Sequence, residues 1–247
     1  MTPILEVRGV RKSFGGVVAN HDVSLSVPEG KIVGLIGPNG SGKTTLFNSI
    51  VGFHPIDAGS IRFQGEEIST LRVPSIARLG LLRTFQQTRI YSKMTCVQNM
   101  LVSVPQAESG WRYMFWRETP AESRRSDELL KFVGLFSKRN LRAGDLSFGQ
   151  QKLLEFAMAL MYKPTMLLLD EPTAGINPTL INGLMNRVQR VNKEFGITLL
   201  VIEHNMRVIM NLAEYIYCLA HGELLAEGKP ETIRNDQRVI DAYLGAH

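Results

Sequence analysis

The feature that most constrains this chain is the run Gly37-Pro38-Asn39-Gly40-Ser41-Gly42-Lys43-Thr44, which fits the pattern G-x-x-x-x-G-K-T. The apolar segment Ile32-Val33-Gly34-Leu35-Ile36 precedes it, and Leu46, Phe47, Ile50 and Val51 follow at helical spacing until Gly52. A strand therefore runs into a glycine-rich turn, and a helix leaves it. Gly37, Gly40 and Gly42 let the backbone curl so that successive N–H groups aim at one anion. The helix brings its positive end to the same place. Lys43 is long enough to span the β- and γ-phosphates of a nucleotide, and Thr44 can set its hydroxyl on Mg²⁺. Gly37 to Thr45, with Pro38, Asn39, Ser41 and Thr45 included, is expected to hold the phosphates of a nucleotide. A chance glycine-rich turn would lack the flanking strand and helix.

A second cluster lies far along the chain. Met166-Leu167-Leu168-Leu169 is an all-apolar run of the kind found in buried parallel strands, and it ends at Asp170-Glu171-Pro172. An Asp at such a strand end can hold Mg²⁺, usually through water, and the Glu beside it can polarise an attacking water as general base. Pro172 biases Glu171 toward an extended backbone. Two solvated acids at a strand tip are the alternative. The phosphate loop decides against it, because nucleotides in such sheets lie at the carboxyl ends of the strands.

Further strand patterns occur at Leu5 to Arg8, Val23 to Val27 and Thr198 to Ile202, while residues from about 88 to 162 read as mostly helical up to the break at Lys163-Pro164. Strands alternating with helices predict an α/β fold with a parallel, doubly wound sheet, and the helical stretch reads as an inserted subdomain. Hydrophobic residues make up 44% and charged residues 21%, a balance that suits one domain of 247 residues with a substantial core. Cys96 and Cys218 have no metal-ligand spacing and read as free thiols of a reducing compartment. The net charge of +5 could suit nucleic acid or an anionic membrane surface, but its spread along the chain favours plain solubility, and no nucleic-acid partner is expected. No leader is expected, and no apolar run is long enough to cross a bilayer. Any work at a membrane would run through partners.

Leu146-Ser147-Phe148-Gly149-Gln150-Gln151, followed by a helical pattern, resembles the signature sequence of the ABC ATPases. Gln86 in Arg83-Thr84-Phe85-Gln86 is similar to the family's Q-loop glutamine, Ala174-Gly175-Ile176-Asn177 to its D-loop, and His204 to its switch histidine. Phe14 stands where the family has an aromatic that stacks on adenine, and core packing explains an aromatic there equally well. The resemblance covers nearly the whole chain in the family's order. Two departures stand out. Phe148 replaces a glycine common in the signature, and Asn177 occupies a position that often holds Asp. Phe14-Gly15-Gly16, the aromatic signature, Glu203-His204-Asn205-Met206 and the tail Ala242-Tyr243-Leu244-Gly245 resemble the branched-chain or hydrophobic amino acid uptake subfamily.

That resemblance implies a P-loop NTPase core of RecA-like type, an N-terminal antiparallel β subdomain and an inserted α-helical subdomain. It implies ATP hydrolysis that drives import of such amino acids. ATP would lie between the phosphate loop of one subunit and Ser147, Gly149 and Gln150 of another. Glu171, His204 and Gln86 would be catalytic, with Thr44, Gln86 and Asp170 toward Mg²⁺. The partners would be transmembrane permease subunits, a second ATPase subunit, identical or merely similar, and indirectly a binding protein. The location would be peripheral, on the cytoplasmic face of the membrane. A lipopolysaccharide-export ATPase and an amide or urea uptake system are the alternatives within the family. Translational or repair ATPases would carry tandem domains or a coiled arm. A non-catalytic scaffold would not need Lys43, Asp170, Glu171 and His204 together. Trp111-Arg112-Tyr113-Met114-Phe115-Trp116-Arg117 reads either as a permease or lipid contact or as the helical subdomain's own core.

Overall fold

A computed structural model describes residues 3–84, 90–104 and 119–244. Two long strands, β1 (Pro3–Phe14) and β2 (Val17–Pro28), alternate buried and exposed side chains and pair as an antiparallel hairpin. Both run well past the short patterns visible in the sequence. β4 (Ala58–Phe63) pairs on the other side of β1, and β5 (Glu66–Glu67) closes a four-stranded antiparallel sheet in the order β2-β1-β4-β5.

The second sheet has the order β10-β9-β3-β8-β7-β6. Its strands are β3 (Ile32–Ile36), β6 (Leu81–Arg83), β7 (Met166–Asp170), β8 (Thr198–Ile202), β9 (Tyr215–Ala220) and β10 (Glu223–Gly228). The pairs among β6, β7, β8, β3 and β9 are parallel, and only the edge strand β10 runs antiparallel to its neighbour. Every residue of β3, β7 and β8 is buried, which is why those segments read as continuous apolar runs rather than alternating ones. Helix α1 (Lys43–Ile50) leaves β3 through the glycine-rich turn. Phe47 on α1, Leu5 and Val10 on β1, Phe63 on β4 and Leu168 and Leu219 of the parallel sheet join one core.

The chain forms two compact units. The first comprises Met1–Arg83, Thr165–Thr173 and Val188–His247 and holds both sheets with α1, α2 (Val73–Arg78), α7 (Met206–Leu212), α8 (Pro230–Arg234) and α9 (Gln237–Leu244). The second comprises Thr84–Pro164 and Ala174–Arg187. Its described residues carry α3 (Cys96–Val102), α4 (Pro120–Val133), α5 (Phe148–Met161) and the first part of α6 (Pro178–Phe195). Local chemistry sets its helix ends. Thr119 and Glu122 form a capping box on α4, and Gly134 closes that helix in the left-handed conformation. Trp111 to Arg117 lies outside the described residues. Both cysteines are buried and free. Among the described residues no helix is long and apolar enough to cross a membrane.

Candidate active site

The glycine-rich turn is held against its own sheet. Gly37 has φ +147°, and a Cβ there would lie 2.1 Å from the Leu219 carbonyl oxygen. Gly42 has φ +95°, and a Cβ there would meet the Ala19 carbonyl oxygen at 2.3 Å. Only glycine fits either position. Lys43 opens α1 and is buried; its Nζ donates to the carbonyls of Gly37 and Pro38, both at 2.8 Å, and to Ser41 Oγ at 3.2 Å. Burial lowers its pKa, partly opposed by Glu171, Cys218 and Asp170 nearby. Asn39, Gly40 and Thr44 are exposed, while Pro38 and Thr45 are half-buried.

Parallel pairing brings the end of β7 beside this turn. Asp170 is buried, and its Oδ2 takes the guanidinium of Arg83, which also donates to Asn48 on α1. Asp170 Oδ1 is buried and accepts no hydrogen bond from the described residues. A buried carboxylate oxygen in that condition suits a cation or its water shell. The next residue, Glu171, presents Oε1 to His204 Nε2 at 2.6 Å. His204 follows β8, so two parallel neighbours deliver the pair. One expectation from the sequence fails here. Glu171 is not extended but left-handed, with φ +49°. Its N–H donates to the Ile202 carbonyl at 3.0 Å, and that bond together with the His204 contact outweighs the preference that Pro172 imposes.

Arg83 and Glu203 are further candidates to which the motifs containing them assign no role. Glu203 is buried and accepts from the Thr173 N–H at 2.9 Å, from the Thr173 hydroxyl and from the Asn205 N–H at 3.3 Å. It braces both the turn after Glu171 and the turn holding His204. The available signal was a charged residue closing an apolar strand, as at Asp170.

Phe14 ends β1 and is 44% exposed, so it is not a core residue. Its ring packs edge-on to His54 with centroids 5.1 Å apart, and Lys12 Nζ lies 5.2 Å from its centre. Ser147, Gly149 and Gln150 belong to the second unit, at the start of α5. Ser147 Oγ accepts from the Gln150 N–H at 3.4 Å, and Gln150 Oε1 accepts from the Ser147 N–H at 3.2 Å, which makes a capping box. Phe148 lies over Gly175, where an added Cβ would come within 2.9 Å of its ring. Asn177 accepts from the Thr179 N–H at 3.1 Å and its hydroxyl at 2.9 Å, beside the start of α6. Gln86 lies outside the described residues.

The turn, the acidic pair and the segment up to Ala174 fall within one stretch, residues 20–174, that matches the family described as ABC transporter. The chain belongs to the ABC transporter family. Residues 223–247 also match a family described as branched-chain amino acid ATP-binding cassette transporter. ABC relatives align end to end. The high-affinity branched-chain amino acid transport ATP-binding protein BraF of Pseudomonas aeruginosa is 41% identical over 98% of each chain. LivG of Escherichia coli K12, which bears the same description, is 38% identical over 98% of each. Among solved ABC structures, an ATP-binding cassette of an ABC transporter in its ADP conformation superposes with a TM-score of 0.89 at 33% identity, covering 99% of this chain and 100% of that one. A dimeric ATP-binding cassette in a post-hydrolysis state, bound to ADP and Pi, gives 0.76 at 26% identity, covering 92% and 98%. As an ABC cassette the chain is an ATPase, and its fold is the α/β cassette fold with a mostly parallel sheet and an antiparallel sheet.

Proposed function

We propose that this ATPase drives uptake of branched-chain or other hydrophobic amino acids from the cytoplasmic face of a membrane, as a peripheral subunit. Its partners are permease subunits, a second ATPase subunit and, indirectly, a binding protein. The cargo reading is supported by the descriptions of the relatives from Pseudomonas aeruginosa and Escherichia coli and by the match over residues 223–247.

The observation that carries the catalytic reading is the meeting of Lys43, Asp170, Glu171 and His204 at the carboxyl ends of parallel strands β3, β7 and β8. Gly37 to Thr45 cradles the phosphates of ATP, and Lys43 exchanges the carbonyls of Gly37 and Pro38 for phosphate oxygens. Phe14 offers an exposed aromatic face to the adenine. The exposed Thr44 and the unpartnered Oδ1 of Asp170, with Gln86, suit Mg²⁺, which when bound neutralises charge on the β- and γ-phosphates. Glu171 accepts a proton from the attacking water, and the Nε2–H of His204 holds that carboxylate in place. Ser147, Gly149 and Gln150 of a second subunit approach the γ-phosphate with a helix N-terminus. The dimeric cassette bound to ADP and Pi supports the pairing of two subunits.

Glu171→Gln is expected to keep ATP affinity while turnover falls by roughly a hundredfold or more. Lys43→Ala is expected to weaken nucleotide binding. Equilibrium titration with ATP and steady-state phosphate release check both. Normal turnover in Glu171→Gln would remove Glu171 from the base role, and unchanged affinity in Lys43→Ala would dismiss the cradle.

A further inference from the structure

The last described turn of the chain reaches back to the phosphate loop. Tyr243, near the end of α9, accepts a hydrogen bond from the Gly37 N–H at 2.8 Å. Gly37 is buried and closely packed, since a Cβ added there would come within 2.1 Å of the Leu219 carbonyl oxygen. Its N–H therefore needs a partner where it stands, and a buried amide left unpaired is costly. The other side of Gly37 is held as well, since its carbonyl accepts from Lys43 Nζ at 2.8 Å. The residue that opens the loop is thus pinned at its N–H by the C-terminal helix and at its carbonyl by the loop's lysine. Asp241 and Ala242 of α9, with His221, also line a cleft of about 300 Å³ against Pro38, Asn39, Gly40 and Ser41. Burial pushes the Tyr243 phenol up to about 12, so the hydroxyl stays neutral at working pH and remains a good acceptor.

We propose that Tyr243 is a positioning residue for the phosphate loop, through which the C-terminal helix sets nucleotide affinity. This rests on the reading of residues 37–45 as the ATP cradle. When phosphate draws the Lys43 ammonium off the Gly37 carbonyl, the Tyr243 bond is the side-chain hold that remains on Gly37. Loss of that bond therefore shows most in the nucleotide-bound state.

The test is calorimetric titration with ADP, alongside ATPase kinetics, on the full chain. Tyr243→Phe removes one oxygen and is expected to raise the Kd for ADP and the KM for ATP by roughly tenfold. The kcat should change by less than about threefold, because no group at the reacting bond has moved. Tyr217→Phe serves as the comparison. The Tyr217 hydroxyl is also held within the first unit, accepting from the Ser26 N–H at 3.1 Å and donating to the Ser26 carbonyl at 2.9 Å, and it does not bond the loop. That variant is expected to lose stability with ADP affinity intact. Equal loss of affinity in the two variants would overturn the inference as general destabilisation. Unchanged affinity in Tyr243→Phe while Lys43→Ala binds weakly would overturn it and leave the cradle standing. Unchanged affinity in Lys43→Ala would remove the cradle itself. Should Tyr243→Phe not fold, amide exchange on the unaltered protein decides: the Gly37 amide is expected to be protected, and exchange at the rate of an open loop would sink the proposal.

Discussion

At the scale of single residues, Glu171, proposed as the general base, sits on a backbone that disfavours any side chain. A non-glycine residue at φ +49° costs about 1–2 kcal/mol relative to its right-handed alternatives. Two substitutions isolate that cost. Glu171→Ala and Glu171→Gly both lose the carboxylate and the His204 contact, but only alanine keeps a Cβ in the left-handed region. The glycine variant is expected to be the more stable of the two by about 1 kcal/mol in urea unfolding, with both inactive in phosphate release. Equal stabilities would mean the turn relaxes freely. This is also where local reading of the sequence reached its limit. Asp170-Glu171 was legible from an acidic pair closing an apolar run, yet the conformation of Glu171 was not. The rule for a residue before proline is local, whereas the Ile202 carbonyl that overrides it comes from another strand. The bracing role of Glu203 is illegible for the same reason, since its partners Thr173 and Asn205 flank two different strand ends.

At the scale of elements, the buried strands β3, β7 and β8 were readable because full burial leaves an unbroken apolar signature. Strands β9 and β10 were not, because β9 mixes tyrosines into its run and β10 is an edge strand with exposed glutamates. β9 matters to the site through Leu219, which crowds Gly37, and through Cys218 beside Lys43. Burial pushes the Cys218 thiol up to about 11 from an ordinary 9.0. Between those values the folded chain keeps a proton that the unfolded chain has released, so stability falls as pH rises from about 9 to about 11. Cys218→Ala is expected to flatten that decline by on the order of 2 kcal/mol, read from urea midpoints across the range. An identical slope in the variant would place the titration elsewhere. The start of α5 makes a second case. Ser147 caps its own helix, a contribution of about 1 kcal/mol, as well as being proposed to face a nucleotide. Ser147→Asp keeps the cap but adds a negative charge. It is expected to match the parent in thermal unfolding while losing ATPase activity by roughly tenfold or more, through like-charge repulsion. Retained activity would confine Ser147 to capping.

At the scale of the whole molecule, the chain passes between its two compact units after Arg83, Pro164, Thr173 and Arg187. The helical middle was legible as a change of pattern, but the second unit also takes residues 174–187, which no periodicity could assign because α6 runs on past that boundary. If ATP joins two subunits as proposed, Glu171→Gln with ATP is expected to sediment at twice the monomer mass and to return to monomer when nucleotide is removed. A monomer under saturating ATP would count against the shared site. Arg83 gives this organisation a consequence of its own. It is the final residue of the first unit, it is bonded to Asp170, and the segment that follows leads toward Gln86. Whatever draws charge from Asp170 must compete with Arg83 for it. On the proposed reading, a cation arriving at Asp170 must share or displace this arginine, so Arg83 serves the buried carboxylate as a counter-ion held in reserve.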